Sequence, residues 1–145
     1  SNLGKEPTES SNQELKDTEI INNACAALLI ETALADKVFN KEELISMQQT
    51  LNKVYKVDEK DIEELINESK KKVSESTSLY EYTRLINDLC DYEDKIRLIN
   101  NLWSIAFADQ QLDKYEEYLI RKISDLLHVS HKDFIQQKLL VKETL

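Results

Sequence analysis

Apolar residues recur at helical spacing in seven stretches of this chain, separated by short polar breaks. Over residues 14–35, Ile20, Ile21, Ala24, Cys25, Ala27, Leu28, Ala33 and Leu34 make an apolar face so wide that the predicted helix must be central. A second helix is predicted after Asn40, with Leu44, Met47, Leu51 and Val54 facing inward. Asp58 starts a third, with Ile62, Leu65 and Ile66 inward, which frays into Lys70-Lys71-Lys72 and Ser74-Glu75-Ser76. Ser78-Leu79-Tyr80-Glu81 has capping-box spacing and predicts the start of a fourth, burying Tyr82, Leu85, Ile86 and Leu89. The fifth begins at residues 91–94 and turns Ile96, Ile99, Leu102, Trp103 and Ala106 to the core. The sixth follows Asp113 and uses Tyr118, Leu119, Ile123, Leu126 and Leu127. Ser130 caps the seventh, with Phe134, Ile135 and Leu139 inward. Residues 1–13 are polar and read as a disordered tail, which leaves 14–145 as the folded domain.

The chain repeats itself. Ala33-Leu34-Ala35-Asp36-Lys37-Val38-Phe39-Asn40-Lys41-Glu42-Glu43-Leu44 aligns with Ala106-Phe107-Ala108-Asp109-Gln110-Gln111-Leu112-Asp113-Lys114-Tyr115-Glu116-Glu117. Ala33/Ala106, Ala35/Ala108, Asp36/Asp109, Lys41/Lys114 and Glu43/Glu116 are identical, each pair 73 positions apart. Val57-Asp58-Glu59-Lys60-Asp61 matches Val129-Ser130-His131-Lys132-Asp133 at an offset of 72, so one residue of slippage lies between. An internal duplication is expected, with helices 1–3 related to 5–7 and helix 4 connecting them.

Composition narrows the fold to all-α. Among 145 residues the one Gly and the one Pro are Gly4 and Pro7. The Asn-Gly and Asp-Gly signals of tight hairpins are absent, whereas side-chain-capped helices need neither residue. A net charge of −9 argues against nucleic acid, because neutralising phosphates needs a basic surface. Cys25 and Cys90 form no CxxC motif and read as free, buried thiols, which fits a reducing cytoplasm. No apolar run approaches the roughly 18 residues of a membrane span. Because the chain starts Ser-Asn-Leu, an upstream segment, or a partner, remains a route to the inner face of a membrane.

Taken together, these stretches resemble the tellurite-resistance TerB-like family, in which a helix ends in Ala-x-Ala-Asp and Asp-x-x-Glu opens the next. The centre resembles it through Ser78-Leu79-Tyr80-Glu81-Tyr82-Thr83-Arg84-Leu85-Ile86-Asn87. The second half is closest, from Leu102-Trp103 through Ala108-Asp109 and Leu112-Asp113-Lys114-Tyr115-Glu116-Glu117 to Val129-Ser130-His131-Lys132-Asp133-Phe134. The resemblance covers residues 24–140 and implies a bacterial all-helical domain of tellurite and other stress responses. It also implies divalent-metal binding by acidic residues and no enzymatic activity. Family members usually carry Gly after the loop Asp, where this chain has Lys37 and Gln110, and Asn40 stands where an Asp is expected.

The acidic loops have two readings. Asp113 with Glu116, and Asn40 with Glu43, have the spacing of helix N-caps, each worth about 1 kcal/mol. Capping explains those four residues, and it outweighs a metal on motif statistics. Asp36 and Asp109 differ, because each closes a helix C-terminus, where free carbonyls disfavour a carboxylate. A hard divalent ion (Ca²⁺, Mg²⁺ or Mn²⁺ rather than Zn²⁺) held by Asp109, Asp113 and Glu116 would account for that. Asp36, Asn40 and Glu43 would make a poorer counterpart. EF-hand spacing is not met, since Val38 and Met47, or Gln111 and Ile120, fall where ligands belong. The sequence leaves open whether the two loops meet.

His128 and His131, with Asp125 or Asp133, make only part of a zinc site, and read as a solvated helix end. No phosphate loop, nucleophile elbow, HExxH pattern or reactive dithiol is present, so no enzyme is expected. The expected function is a non-enzymatic cytoplasmic stress module that acts through protein partners. The alternative is a metal-independent helical adaptor. Oligomeric state is not legible in the sequence.

Overall fold

The computed structural model describes residues 9–35, 40–71, 75–108 and 110–145. Seven helices follow in order: α1 (Glu9–Ala33), α2 (Lys41–Lys53), α3 (Glu59–Lys71), α4 (Glu75–Leu89), α5 (Tyr92–Ala106), α6 (Lys114–Leu126) and α7 (His131–Glu143). Among the described residues there is no strand, and the fold is all-α as the composition requires.

The wide apolar face of α1 does what it predicts. From Ala24 to Ala33 nearly every residue is buried, and α1 packs on α2, α3, α4, α5 and α6. Helix α5 has a comparable place against α1, α2, α6 and α7. Within α1–α2–α3 each helix touches the other two, and the same holds within α5–α6–α7. Between the two halves, α1 packs on α6 and α5 on α2. Trp103 lies at the bottom of the second half, fully buried, with its ring centroid 5.1 Å from Phe134 and 5.9 Å from Phe107. Its indole N–H donates to the Phe134 carbonyl at 3.2 Å, so burial leaves that donor satisfied.

Several expectations shift. Helix α1 begins at Glu9, inside the segment read as a tail; residues 1–8 lie outside the described residues. Helix α4 begins at Glu75, so Ser78 sits within its first turn rather than capping it. A Ser-x-x-Glu spacing permits a cap but does not stop a helix from extending further back. Tyr118 is exposed, because the inward face of α6 is taken by Leu119, Ile120 and Ile123, about 100° further round or more. It stacks instead on Tyr115, 6.2 Å away. Leu139 is exposed for the same reason, since α7 buries Phe134 and Val141. Ile20 and Val54 are also largely in solvent.

The slippage in the repeat has a location. In the second half the Val129 amide donates to the Ser124 carbonyl and the His128 amide to that of Asp125, which together close a Schellman motif. In the first half the Val57 amide donates to Leu51, the repeat equivalent of Ser124, at the same 3.0 Å. That bond spans six residues instead of five. The extra residue is therefore absorbed in the turn between α2 and α3. Both junctions pass through positive φ, at Lys56 (57°) and His128 (60°).

Candidate functional site

The described ends of the two acidic loops lie side by side. Asn40 and Glu42 from the first and Ala108, Gln110 and Gln111 from the second line one open cavity of about 440 Å³. The N-termini of α2 and α6 flank this end of the bundle, and Glu42, Glu43, Glu116 and Glu117 occupy their first turns, where the helix dipole favours negative charge.

The caps form. Asn40 Oδ1 accepts from the Glu43 amide at 2.8 Å, and Asn40 Nδ2 donates to Glu43 Oε1 at 3.3 Å. Both ends of that amide are therefore engaged with one residue. Asp113 works differently: Oδ1 alone accepts from the Tyr115 amide (2.8 Å) and the Glu116 amide (3.2 Å). A box with both arms appears at α5, where Asp91 accepts from the Asp94 amide and Asp94 from the Asp91 amide.

The burial of the third residue in each motif is not what a surface cap needs. Glu43 is 2 % exposed and Glu116 is 1 % exposed, at equivalent places in the two halves. Burying a carboxylate is costly unless charge or hydrogen bonds answer it, so these two side chains mark a polar interior at the end where the loops meet. Sequence reasoning missed Glu31, whose carboxylate oxygens are likewise shielded from solvent. The signal was a single acid within the run 24–35, where Thr32 is the one other polar residue. Asp36 and Asp109 lie outside the described residues.

The donors in these loops are hard oxygens suited to a divalent cation of the Ca²⁺, Mg²⁺ or Mn²⁺ class. Among the described residues no three of His, Cys, Asp and Glu stand together as a metal cluster. A three-carboxylate site in these loops would therefore need Asp36 or Asp109. His128 and His131 are both exposed, and the His131 ring rests on Phe134 at 5.8 Å.

Backbone strain marks the second loop. Gln110 has φ of 65° while its amide donates to the Phe107 carbonyl at 2.8 Å. This is the position after the loop Asp, where the left-handed region favours glycine.

Cys25 and Cys90 are free; Cys25 is buried and Cys90 is half-buried. Burial pushes the Cys25 thiol far above its usual range, with Cys90 and Asp94 adding to it. Cys90 is pushed up to about 11, by burial first and then by the Asp94 and Asp91 carboxylates. Neither is a ready nucleophile at neutral pH. No helix among the described residues is long and apolar enough to cross a membrane.

A family model described as "Tellurite resistance protein TerB" matches residues 22–139. No curated protein and no solved structure matches the chain.

Proposed function

This chain belongs to the tellurite-resistance TerB family, and we propose that it serves a tellurite or general stress response as a non-enzymatic cytoplasmic module. Its working surface is the paired-loop end of the bundle, which holds a divalent cation and engages protein partners. The observation that carries this reading is the cavity that Asn40 and Glu42 share with Ala108, Gln110 and Gln111, together with the burial of Glu43 and Glu116 in the first turns of α2 and α6.

In the second loop Asp109, Asp113 and Glu116 are the ligands, because Asp113 spends one carboxylate oxygen on the cap and keeps the other. Asp36, Asn40 and Glu43 form the weaker counterpart, since both ends of the Asn40 amide are engaged with Glu43. A bound cation would supply positive charge between carboxylates that otherwise repel, so it stabilises the folded state by linkage.

Thermal melting in Ca²⁺, Mg²⁺ or Mn²⁺ against chelator tests this. A metal-dependent rise in Tm, lost in Asp36→Ala/Asp109→Ala, is the expected result. Equal melting of both proteins in metal and chelator contradicts the cation. Growth on tellurite, with either protein expressed in cells lacking this chain, tests the biological assignment separately. A metal-independent adaptor would show itself as partners captured equally with and without chelator.

A further inference from the structure

A second surface lies well away from those loops. The first turns of α1 stand clear of the core: residues 9–16 are exposed, and Leu15 is 66 % exposed. With α3 and α4, α1 bounds an open groove of about 890 Å³. Its apolar lining includes Leu15, Ile20, Val57, Leu65, Tyr82 and Leu85. The rim is acidic: Asp58, Asp61, Glu64 and Glu68 follow one face of α3, and Glu19 faces them from α1. Among the described residues lining the groove, Lys56 is the one cation against those five carboxylates. All five acids are exposed. The α3 wall from Asp58 to Glu68 is about 15 Å long, or three helical turns.

We propose that this groove docks a basic amphipathic helix from a partner protein. An apolar stripe of such a helix covers Leu15, Ile20, Leu65 and Leu85. Its flanking Lys and Arg residues meet Glu19 on one side and Asp58, Asp61, Glu64 and Glu68 on the other. Helix-in-groove recognition reads anchors at positions i, i+3/i+4 and i+7, and three turns supply that set. The acid rim sets orientation and steers association, and makes binding fall with salt. Leu15, Thr18, Glu19 and Ile20 precede residue 22, where the family match begins. The first part of the α1 wall thus lies before the matched segment, and Asn22, Asn23, Ala24 and Ala27 continue it inside that segment.

The probe is a fluorescein-labelled peptide of about 15 residues, Leu and Lys arranged with helical period. Controls are the same composition in scrambled order and a version with Glu in place of Lys. Anisotropy is read with full-length wild type, with Asp61→Lys/Glu64→Lys, with Leu15→Ser/Ile20→Ser, and with Asp125→Lys/Glu143→Lys as an equal charge change outside the groove. The expected result is saturable binding to the periodic peptide, weakened at least tenfold by either groove pair and less than threefold by the control pair. Amide shifts then map to residues 15–27 and 55–68. Equal binding of the scrambled peptide, or equal loss in the control pair, would reduce the effect to bulk charge and overturn the proposal. Self-association in sedimentation equilibrium that Asp61→Lys/Glu64→Lys abolishes would give the groove to a second copy, and overturn it equally. The substituted side chains lie at the surface, with Ile20 39 % exposed, and circular dichroism of each variant confirms the fold before binding is read.

Discussion

His128 holds a left-handed conformation (φ 60°) at the end of α6, in a chain whose single Gly is Gly4. The surrounding bonds are those of a complete Schellman motif: the His128 amide to Asp125 and the Val129 amide to Ser124, each at 3.0 Å. A side chain with Cβ costs about 1–2 kcal/mol in this region. Glycine removes that cost but adds about 0.4–1 kcal/mol of unfolded-chain entropy. His128→Gly should therefore stabilise the fold by about 0.5–1 kcal/mol, which raises Tm by about 1–4 °C for a chain of this length. The imidazole is exposed, so no packing is lost. His128→Ala is the control, because it removes the imidazole but keeps Cβ. Urea and thermal unfolding of the three proteins should place the Gly variant above both others. A Gly variant no more stable than the Ala variant would refute the strain assigned to this position.

The same reasoning applies to Gln110 and Lys56, with φ of 65° and 57°; Gln110→Gly and Lys56→Gly should each gain a similar amount, adding with His128→Gly because the three turns are separate. Asp113→Ala should lose about 0.5–2 kcal/mol through the cap, measured in chelator so that no ion contributes. Tyr92 donates to Asp133 Oδ2 at 2.5 Å and accepts from the Ser130 amide, tying α5 to the start of α7. The Tyr92 hydroxyl, then Ser130, holds the Asp133 carboxyl below its ordinary range. A depressed carboxylate stabilises the fold above the unfolded value, near pH 4, and loses that contribution as pH falls through the folded value. The stability gap between wild type and Tyr92→Phe should accordingly narrow between pH 6 and pH 2 in urea titrations. Cys90, at about 11, should react with a disulfide reagent at pH 8 on the order of a hundredfold slower than a free thiol, and speed up toward pH 11.

The helices were legible because burial follows period. Ala24, Leu28, Met47, Leu51, Ile99, Leu102 and Trp103 sit in the core where 3.6-residue spacing puts them. The boundaries were less so: nothing in Glu75-Ser76-Thr77 forbids helix, and α4 takes them. Tyr118 and Leu139 show the limit of hydrophobicity as a guide, because facing the core depends on which neighbour a helix meets. At the candidate site, the caps at Asn40 and Asp113 could be read from residue type and spacing. The burial of Glu43 and Glu116 could not, since an acid in the first turn of a helix reads as solvated. Gln110 stands where the family usually carries Gly, but the positive φ there and at His128 became visible only in the structure.

The cation proposed for the paired loops is tested most directly by amide NMR shifts during titration with Ca²⁺, Mg²⁺ and Mn²⁺. Amides of residues 110–116 should shift at lower metal concentration than those of residues 40–44, and Asp109→Ala should abolish the response of the second loop. Millimolar metal that leaves both segments unshifted would contradict the account, as would second-loop shifts that survive Asp109→Ala unchanged.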